Sequence, residues 1–301
     1  MKLTILGCHA ATPRTFTNPT SQVLEIKNHL FLIDCGEGTQ IQLRKQKVKF
    51  SRIKHIFISH LHGDHFFGLP GLISTFRLLG RTVALNVYGP EGIKEAMTLL
   101  LELGHSQPTY PLIFHELNSK NTETLFEDDT VEVSTIPLNH RVYTNGFLFT
   151  EKPGERKLNV AEVLKYRIDK SYYHNIKRGK DIILESGEII PNARLTLDPP
   201  KPKSYAFCSD TSYTTDIVDH IRNVDVLYHE STFLEQHRHL AGKTGHSTAR
   251  QAAEIAKQAH AETLILGHYS TRYPGLEGFI TEAGEIFKNV MLAEDGKIFE
   301  F

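Results

Sequence analysis

Short apolar runs rich in β-branched and aromatic residues recur along the chain, and such runs predict strands. In the first half they cover residues 2–7, 22–26, 29–34, 53–59 and 83–88. In the second half they cover residues 131–138, 204–209, 224–228 and 263–267. Each half of the chain is therefore predicted to contribute strands to a sheet.

Helices are predicted between the strands, over residues 38–46, 68–79, 91–103 and 249–259. Residues 89–92, Gly-Pro-Glu-Gly, predict a turn before the third of these helices. Thr248 and Gln251 have the spacing of a capping box at the start of the last helix. The mixture of elements indicates an α/β or α+β protein, and the pattern by itself leaves the number of layers open.

Composition limits the classes of protein to consider. The chain has 301 residues and a formal net charge of −1, so any nucleic-acid binding must come from local positive patches. This length fits one domain over residues 1–301 that carries an insertion. Cys8, Cys35 and Cys208 form no paired framework and no C-x-x-C motif, which indicates a reducing compartment and favours the cytoplasm. No run of about 18 apolar residues occurs, so no membrane-spanning helix is predicted.

Residues 151–180 differ in composition from the rest of the chain. They contain nine Lys or Arg against four acidic residues, with three Tyr interleaved. A solvated surface segment is the ordinary interpretation. The alternative is an arm that binds phosphates, because cationic side chains release counterions when they meet a nucleic-acid backbone. Composition leaves both interpretations open.

Three histidines and an aspartate occur within His60-Leu61-His62-Gly63-Asp64-His65, directly after a predicted strand. In this position His60 and His62 can point at one metal ion while Asp64 and His65 reach a second. Polar residues at a solvated turn are the alternative. Imidazole and carboxylate groups at such close spacing favour metal binding of the zinc type.

Two metal ions need more ligands than this segment supplies, since a zinc ion with one open position takes three protein ligands. His140, Asp210 and His268 each follow a predicted strand, and His229 and Glu230 follow another. A single histidine after a strand is ordinarily a surface or core residue. Several strands that end alike, together with the histidine-rich segment, favour a site for two metal ions.

The pattern His60-x-His62-x-Asp64-His65 is similar to the signature of the metallo-β-lactamase superfamily, and the later ligand-type residues follow in that superfamily's order. Five further segments resemble the ribonuclease Z family, namely Phe31–Gln40, Ser209–Thr211, His229–Thr232, Gly245–Thr248 and Gly267–Tyr273. The resemblance extends from about residue 2 to about residue 295. It implies a four-layer αββα sandwich, and an endonuclease that removes the 3′ trailer from precursor tRNA. It also implies two Zn²⁺ per chain and a homodimer.

The resemblance also implies roles for individual residues. The first ion is expected on His60, His62 and His140, the second on Asp64, His65 and His268, with Asp210 as the bridge. Asp64 is also expected to orient the attacking water or accept its proton. His246 is the candidate general acid for the leaving 3′-oxygen, and Glu230 would hold its ring and favour the imidazolium. Asp34 is expected to support the site and not to bind metal. Mn²⁺ or Fe²⁺ can use the same ligands.

In ribonuclease Z enzymes an arm inserted between the two halves of the fold grips the body of the tRNA. Residues 151–195 are expected to form this arm here. Lys177, Arg178 and Lys180 resemble its basic stem and are the candidate RNA-binding residues. The Gly-Pro pair often found at the tip of the arm is absent, so the shape of the arm is open.

The family's Pro-x-Lys-x-Arg-Asn loop handles the RNA end beside the cleavage site, and it aligns here with residues 13–18. Pro13 and Asn18 match the pattern. Thr15 and Thr17 replace both expected cations, and Arg14 can substitute for one of the charges. The altered loop leaves the cleavage position relative to CCA open.

Two alternatives belong to other functional classes. A small-molecule hydrolase or phosphodiesterase of the same superfamily would share the histidine cluster, but it would not account for the basic segment or for Glu230 and His246. A catalytically silent RNA-binding or zinc-storage protein is disfavoured, because all of the expected ligand positions carry ligand-type residues.

Overall fold

The structure is a computed structural model, and it describes residues 1–12 and 14–301. Pro13, the first residue of the expected RNA-end loop, lies outside the described residues. The chain divides into two compact units, a main unit formed by Met1–Thr150 with Lys203–Phe301 and an inserted unit formed by Glu151–Pro202. The insertion predicted over residues 151–195 falls within the inserted unit, and its role in tRNA binding stays a prediction.

The described part of the chain contains both strands and helices, in the main unit and in the inserted unit. In chain order the strands are β1 (Lys2–Gly7), β2 (Ser21–Ile26), β3 (His29–Ile33), β4 (Ile53–Phe57), β5 (Leu85–Pro90), β6 (Leu112–Leu117), β7 (Thr124–Glu127), β8 (Val131–Pro137), β9 (Asn145–Glu151), β10 (Lys157–Leu158), β11 (Ile182–Ile183), β12 (Ile189–Ile190), β13 (Thr196–Leu197), β14 (Ser204–Cys208), β15 (Val226–Glu230), β16 (Thr263–Gly267), β17 (Val290–Leu292) and β18 (Ile298–Glu300). The α-helices are α1 (Thr39–Lys45), α2 (Gly63–Phe66), α3 (Leu69–Leu78), α4 (Ile93–Leu103), α5 (Val160–Lys165), α6 (Tyr173–Lys177), α7 (Asn192–Leu195), α8 (Arg238–Thr244), α9 (Ala249–Gln258) and α10 (Glu277–Gly284).

The main unit contains two seven-stranded sheets, with the orders β18-β1-β2-β3-β4-β5-β6 and β17-β16-β15-β14-β9-β8-β7. In the first sheet β3, β4, β5 and β6 are parallel neighbours. In the second sheet β14, β15, β16 and β17 are parallel neighbours. Because the carboxyl ends of parallel strands lie at one edge of a sheet, residues that follow these strands can meet.

The first sheet buries side chains on both faces. Phe31 and Ile33 of β3 belong to the core shared with the second sheet, whereas Leu30 and Leu32 pack with residues of α1, α3 and α4. Phe31 meets Phe149 of β9 with ring centroids 5.3 Å apart. Burial of each such side chain contributes about 1.5–3 kcal/mol. Two buried faces explain why these strands appear in the sequence as continuous apolar runs.

Helices α9 and α10 join the core of the second sheet, where Ala252, Ile255 and Phe279 are fully buried. Two packed sheets with helices on their outer faces form the four-layer αββα sandwich expected from the resemblance. The capping box of α9 is confirmed, since Thr248 accepts a hydrogen bond from the Gln251 backbone and the Gln251 side chain accepts one from Thr248.

Several element predictions were wrong at their ends, among them the strands predicted over residues 53–59 and 83–88, which run from Ile53 to Phe57 and from Leu85 to Pro90. The strand predicted over residues 224–228 runs instead from Val226 to Glu230, because Glu230 pairs with Gly267 of the neighbouring strand. The turn predicted over residues 89–92 begins later, since β5 continues through Pro90, which pairs with Leu117. Proline is tolerated there because it ends the strand.

The inserted unit has a core of its own, formed by Val163, Ile168, Ile176, Ile182, Ile190 and Leu195. Its short strands pair as two ribbons, β10 with β13 and β11 with β12. In the part of the chain that the structure describes, no helix is both long enough and apolar enough to cross a membrane.

Candidate metal centre

The histidine-rich segment begins where β4 ends, and its second half forms the short helix α2. The turn between them is held by Asp34, which follows β3. Asp34 accepts hydrogen bonds from the backbone and the hydroxyl of Ser59, at 2.8 and 2.9 Å. Gly36 permits close packing at the same place, because a Cβ added there would lie 2.4 Å from the carbonyl oxygen of Asp64. These contacts fix the direction in which the segment leaves the sheet.

One group of ligand-type atoms is formed by His60, His62 and His140 together with Asp210. Their candidate ligand atoms all lie within 4.8 Å of one another. His60 Nε2 is 2.9 Å from His62 Nδ1 and 3.6 Å from Asp210 Oδ2. His140 Nε2 is 3.8 Å from the same oxygen. The structure thus brings the three residues expected on the first ion to one side of Asp210.

A second group is formed by Asp64, His65 and His268. The Nε2 atoms of His65 and His268 each lie 3.2 Å from Asp210 Oδ1 and 3.5 Å from Asp64 Oδ2. Asp210 therefore presents Oδ2 to the first group and Oδ1 to the second. A carboxylate in this position can bridge two ions.

Three of the histidines, His65, His140 and His268, are oriented as metal ligands, because each uses Nδ1 in a hydrogen bond and keeps Nε2 for a metal ion. His65 Nδ1 donates to Asp34 Oδ2 and His140 Nδ1 donates to the carbonyl oxygen of Gly245, both at 2.7 Å. His268 Nδ1 lies 2.8 Å from the hydroxyl of Thr232. The Nε2 atoms of His65, His140 and His268 are buried without a hydrogen bond of acceptable geometry among the described residues. Buried nitrogens left in this way fit a metal ion.

The charges of the site agree with metal binding, which requires neutral imidazoles and ionised carboxylates. Burial lowers the pKa of His60, His62 and His140. For Asp64 and Asp210 burial acts in the opposite direction, but the neighbouring histidines hold the pKa of both carboxyls well below the usual range.

His65 differs in charge from His60, His62 and His140. Burial acts against its imidazolium, but the carboxylates of Asp210, Asp34 and Asp64 outweigh burial and raise the pKa of His65. A metal ion bound at His65 Nε2 therefore has to displace a proton.

His246 and Glu230 form a pair beside the two groups. Glu230 Oε1 lies 2.8 Å from His246 Nδ1, and the Glu230 side chain is fully buried. Burial acts against the imidazolium, but the Glu230 carboxylate outweighs it and raises the pKa of His246 to about 9. His246 Nδ1 is also 4.0 Å from Asp210 Oδ2. A protonated imidazole in this position can act as a general acid.

Three residues of the site take left-handed backbone conformations within two residues of a strand end. The φ angles are 54° at Asp34, 60° at Asp210 and 58° at His268. Such conformations cost on the order of 1–3 kcal/mol for residues other than glycine and gather at functional sites. Here they turn each chain at the sheet edge so that the side chain joins the site.

A cavity of about 340 Å³ opens beside Asp64, and we call it the Asp64-side cavity. Its lining also includes His9, Asn18 and Glu37. Asn18 is fixed by Asp295, which accepts hydrogen bonds from the Asn18 backbone at 2.7 Å and from its side chain at 2.8 Å. No pattern in the sequence indicates a role for Asp295, because its partner Asn18 is remote in the chain.

The described part of the expected RNA-end loop lies at this cavity. Thr17 and Asn18 line it, whereas Arg14 donates a hydrogen bond to the carbonyl oxygen of Tyr273 at 3.2 Å. Phe16 is 90% exposed. Sequence reasoning also missed Thr232 and Gly245 as partners of the ligand histidines, although both lie in segments that the resemblance had singled out.

The candidate ligand His229 is not part of the centre. Its ring is buried in β15, and its Nδ1 donates to the carbonyl oxygen of Glu230 at 2.7 Å. The candidate RNA-binding residues Lys177, Arg178 and Lys180 lie at and just after the end of α6. Arg178 and Lys180 are exposed there and Lys177 is half-buried.

Comparisons with known proteins agree with this geometry. The family model described as Anti-Pycsar protein Apyc1 matches residues 1–153, and the one described as Beta-lactamase superfamily domain matches residues 187–269. Ribonuclease Z of Porphyromonas gingivalis is 47% identical over 291 residues, which cover 97% of this chain and 96% of that protein. Ribonuclease Z of Bacteroides fragilis is 46% identical over 294 residues, with coverage of 98% and 97%.

Solved structures show the same relationship. Human tRNase Z, short form, superposes with a TM-score of 0.74 and 29% identity, covering 100% of this chain and 99% of that one. The metallo-β-lactamase fold protein YhfI from Bacillus subtilis shares the fold, with a TM-score of 0.69, 16% identity and coverage of 99% and 98%. The resemblance inferred from the motifs is confirmed by relatives that match over nearly the whole chain. The chain belongs to the ribonuclease Z family.

Proposed function

We propose that this protein is a metal-dependent endoribonuclease that removes the 3′ trailer from precursor tRNA. The hydrolysis leaves a 3′-hydroxyl on the tRNA and a 5′-phosphate on the trailer. The observation that carries the proposal is the position of Asp210 between the two histidine groups, with the protonatable His246 beside it. The names of the relatives, ribonuclease Z and tRNase Z, support this substrate.

The centre is proposed to hold two Zn²⁺ per chain. His60, His62 and His140 would bind one ion, Asp64, His65 and His268 the other, and Asp210 would give one oxygen to each. Divalent ions held there would lower the pKa of water and stabilise charge on the phosphoryl oxygens during in-line displacement. Zn²⁺ suits a set rich in imidazole, and Mn²⁺ or Fe²⁺ can use the same set.

Two further groups handle protons. Asp64 is the proposed residue that orients the attacking water and accepts its proton, because its carboxylate is ionised and lines the Asp64-side cavity. His246 is the proposed general acid, which donates its proton to the leaving 3′-oxygen of the tRNA. Glu230 acts through His246 by holding the ring and favouring its protonated form.

The inserted unit is proposed to bind the body of the precursor tRNA. Arg178 and Lys180 are exposed at the end of α6, close in sequence to Lys177. Gly179 has a φ of +92° and turns the chain between them. Cations presented on a small, independently packed unit can contact phosphates without disturbing the main core.

A homodimer in the cytoplasm is the proposed state of the protein. The helices beside the first sheet carry exposed apolar side chains, among them Ile41 of α1 and Leu78 of α3, which are 55% and 84% exposed. Exposed large apolar side chains of this kind are consistent with a protein contact. The free thiols of Cys8, Cys35 and Cys208 fit a reducing compartment. Sedimentation of the purified protein at several concentrations would measure the oligomeric state.

The first experiment is a gel assay on a precursor tRNA with a 3′ trailer, with and without a chelator, in which the new ends are mapped. We expect chelator-sensitive cleavage that leaves a 3′-hydroxyl after the discriminator base or after CCA. The mapped end would also show what the altered loop at residues 14–18 does. If the metal-loaded protein leaves the precursor intact but hydrolyses bis(p-nitrophenyl) phosphate, the small-molecule phosphodiesterase becomes the better assignment.

The role of His246 has its own test. His246→Ala should retain the metal content and tRNA affinity of the wild type while slowing single-turnover cleavage by roughly 10²-fold or more, as for a lost general acid. His239→Ala, at an exposed histidine of α8, is the matched control. Unchanged turnover in His246→Ala would remove the proposed role.

The role of the inserted unit is best tested by charge removal. A deletion of residues 155–178 is less informative, because it would remove Val163, Ile168 and Ile176 from the core of the inserted unit and destabilise the unit itself. We expect Lys177→Ala/Arg178→Ala/Lys180→Ala to raise KM for precursor tRNA and to reduce its salt dependence, with little effect on bis(p-nitrophenyl) phosphate. The control is Lys54→Ala/Lys257→Ala/Lys288→Ala, three exposed cations of the main unit. Equal KM values in the two triple variants would contradict the proposal.

A further inference from the structure

A second cavity opens beside His140 of the candidate metal centre. It has a volume of about 450 Å³, and its lining includes Lys120, His140, Arg141, Tyr143 and Asn145. We call it the His140-side cavity. Its lining and that of the Asp64-side cavity have no residue in common, so the two cavities border different ligands of the centre.

One wall of this cavity is fixed by a chain of hydrogen bonds. Tyr143 donates its hydroxyl proton to the carbonyl oxygen of Ser119 at 2.8 Å. The hydroxyl has no second proton, so the Asn145 atom that lies 2.8 Å from it must be the amide nitrogen. The other end of the amide, Asn145 Oδ1, is then an acceptor without a partner among the described residues, on a side chain that is 2% exposed. Buried polar atoms without partners are rare, so Asn145 and the Tyr143 hydroxyl make this wall polar.

The charge of the cavity is positive. Arg141 and Lys120 are both exposed, and neither forms a hydrogen bond or an ion pair with any residue that the structure describes. None of the described residues that line the cavity is acidic. Arg52 and Arg222, by contrast, form ion pairs with Glu25 and Asp219. Two free cations in an acid-free polar cavity favour an anion as the occupant.

We propose that the His140-side cavity is a subsite for one nucleotide next to the scissile phosphodiester, with Arg141 and Lys120 as the ligands of its phosphate. This subsite rests on the proposed function. Arg141 and His140 both line this cavity, so an anion bound in the cavity lies beside a ligand of the proposed first ion. Along an RNA strand the anion nearest to a phosphate at the centre is the phosphate of the adjoining nucleotide. Arginine suits this contact because its guanidinium can bind two phosphate oxygens at once.

The test compares Arg141→Ala, Lys120→Ala and the conservative Arg141→Lys with the control Lys288→Ala. Each is assayed on precursor tRNA over a range of salt concentrations and on bis(p-nitrophenyl) phosphate, which has no neighbouring nucleotide. We expect Arg141→Ala to raise KM for the precursor about tenfold and to reduce the slope of log(kcat/KM) against log salt by about one. The loss on the precursor should exceed that on the small ester at least about fivefold, and Arg141→Lys should recover part of it.

Equal losses on the two substrates, or a KM for the precursor in Arg141→Ala that matches the control, would overturn the subsite. Failure of the proposed function would have a different signature, since the wild-type protein itself would then not cleave precursor tRNA. In that case the subsite is decided by equilibrium binding of a fluorescein-labelled single-stranded RNA in the presence of chelator. Weaker binding by Arg141→Ala than by Lys288→Ala would support the subsite, and equal binding would overturn it.

Discussion

Asp34 Oδ2 lies 2.7 Å from Nδ1 of His65, and neither side chain has any exposed surface. Asp34 also accepts both hydrogen bonds from Ser59, so the position of its carboxylate is fixed independently of the histidine. The contact places a proton on His65 Nδ1 and leaves Nε2 to face Asp64 and Asp210. A carboxylate behind a ligand histidine sets the tautomer and the orientation of the ring.

We predict that Asp34→Ala lowers the affinity of the centre for metal by about 10–100-fold, the range for lost partners of ligand histidines. Competition with a chromophoric chelator would measure the affinity. Asp34→Asn, which preserves the volume of the side chain, guards against simple misfolding, and Asp129→Ala at an exposed turn is the control. Wild-type metal affinity in both Asp34 variants would show that His65 is oriented by other contacts.

The Glu230–His246 pair predicts a particular pH dependence. The carboxylate of Glu230 raises the pKa of His246 to about 9, so the imidazolium required for proton donation is present at neutral pH. The rate of cleavage should therefore fall as the pH rises through that value. In Glu230→Gln the charge that favours the imidazolium is lost, so the alkaline limb should move to lower pH.

Single-turnover cleavage of precursor tRNA between about pH 6 and pH 10 would measure this shift. Glu277→Gln, at an exposed position in α10, serves as the control. A limb that stays in place in Glu230→Gln while the rate falls at all pH values would mean that Glu230 is only structural.

Much of the candidate centre could be predicted because its residues follow short apolar runs. His60, Asp210 and His268 come after buried strands, and parallel strands bring such positions to one edge of a sheet. The partners of these residues could not be predicted in the same way. The carbonyl oxygen of Gly245 carries no side-chain signal, and Asp295 lies 287 residues from its neighbour Cys8.

The arrangement of the layers is a second feature that the sequence pattern could not predict. Apolar periodicity predicts that Phe31 and Leu32 are buried, but it does not say that one faces the second sheet and the other faces helices. That choice depends on strand order, which is set by contacts between distant parts of the chain. The end of β15 is a similar case, since Glu230 is a poor strand former in isolation. It is accommodated at a buried strand end by hydrogen bonds from the backbones of Thr211 and Ser247.

The environment of His55 in β4 predicts how the free energy of unfolding depends on pH. Its ring centroid lies 4.5 Å from that of Phe126, and burial together with His29 and other nearby cations lowers the pKa of His55 to about 4. In the unfolded chain the ring titrates near 6.5, so between these values the unfolded state binds more protons. The contribution of neutral His55 is therefore complete above about pH 6.5 and is lost as the pH falls towards 4.

We expect His55→Phe to lose less stability than the wild type between pH 7.5 and pH 5, by on the order of 1–2 kcal/mol once the partial exposure of the ring is allowed for. Urea unfolding at both pH values would measure this difference. The protein is treated with chelator first, so that release of metal at low pH does not contribute to the loss of stability. His174→Phe, at an exposed histidine, is the control. Equal losses of unfolding free energy in the wild type and in His55→Phe would show that groups other than His55 cause the acid sensitivity.

The contacts of Asp295 connect the end of the chain with Cys8 and Asn18, and we expect them to hold these residues in place. Its Oδ2 accepts both hydrogen bonds from Asn18, and its Oδ1 lies 3.5 Å from the Cys8 thiol. Hydrogen bonds to a charged acceptor contribute about 1.5–3 kcal/mol each, so Asp295→Ala should release the segment from His9 to Asn18 well before the protein unfolds. Hydrogen exchange should accelerate in the peptides that cover it and remain slow in β14 to β16.

Because Thr17 and Asn18 line the Asp64-side cavity, the released segment should also affect where the RNA end lies. We expect Asp295→Ala to cleave precursor tRNA at more than one position, with metal content equal to that of the wild type. Asp295→Asn retains one acceptor oxygen and should show a smaller effect of the same kind, whereas Asp129→Ala should show none. If exchange accelerates while the mapped ends stay uniform, Asp295 orders the segment but the segment does not set the cleavage position.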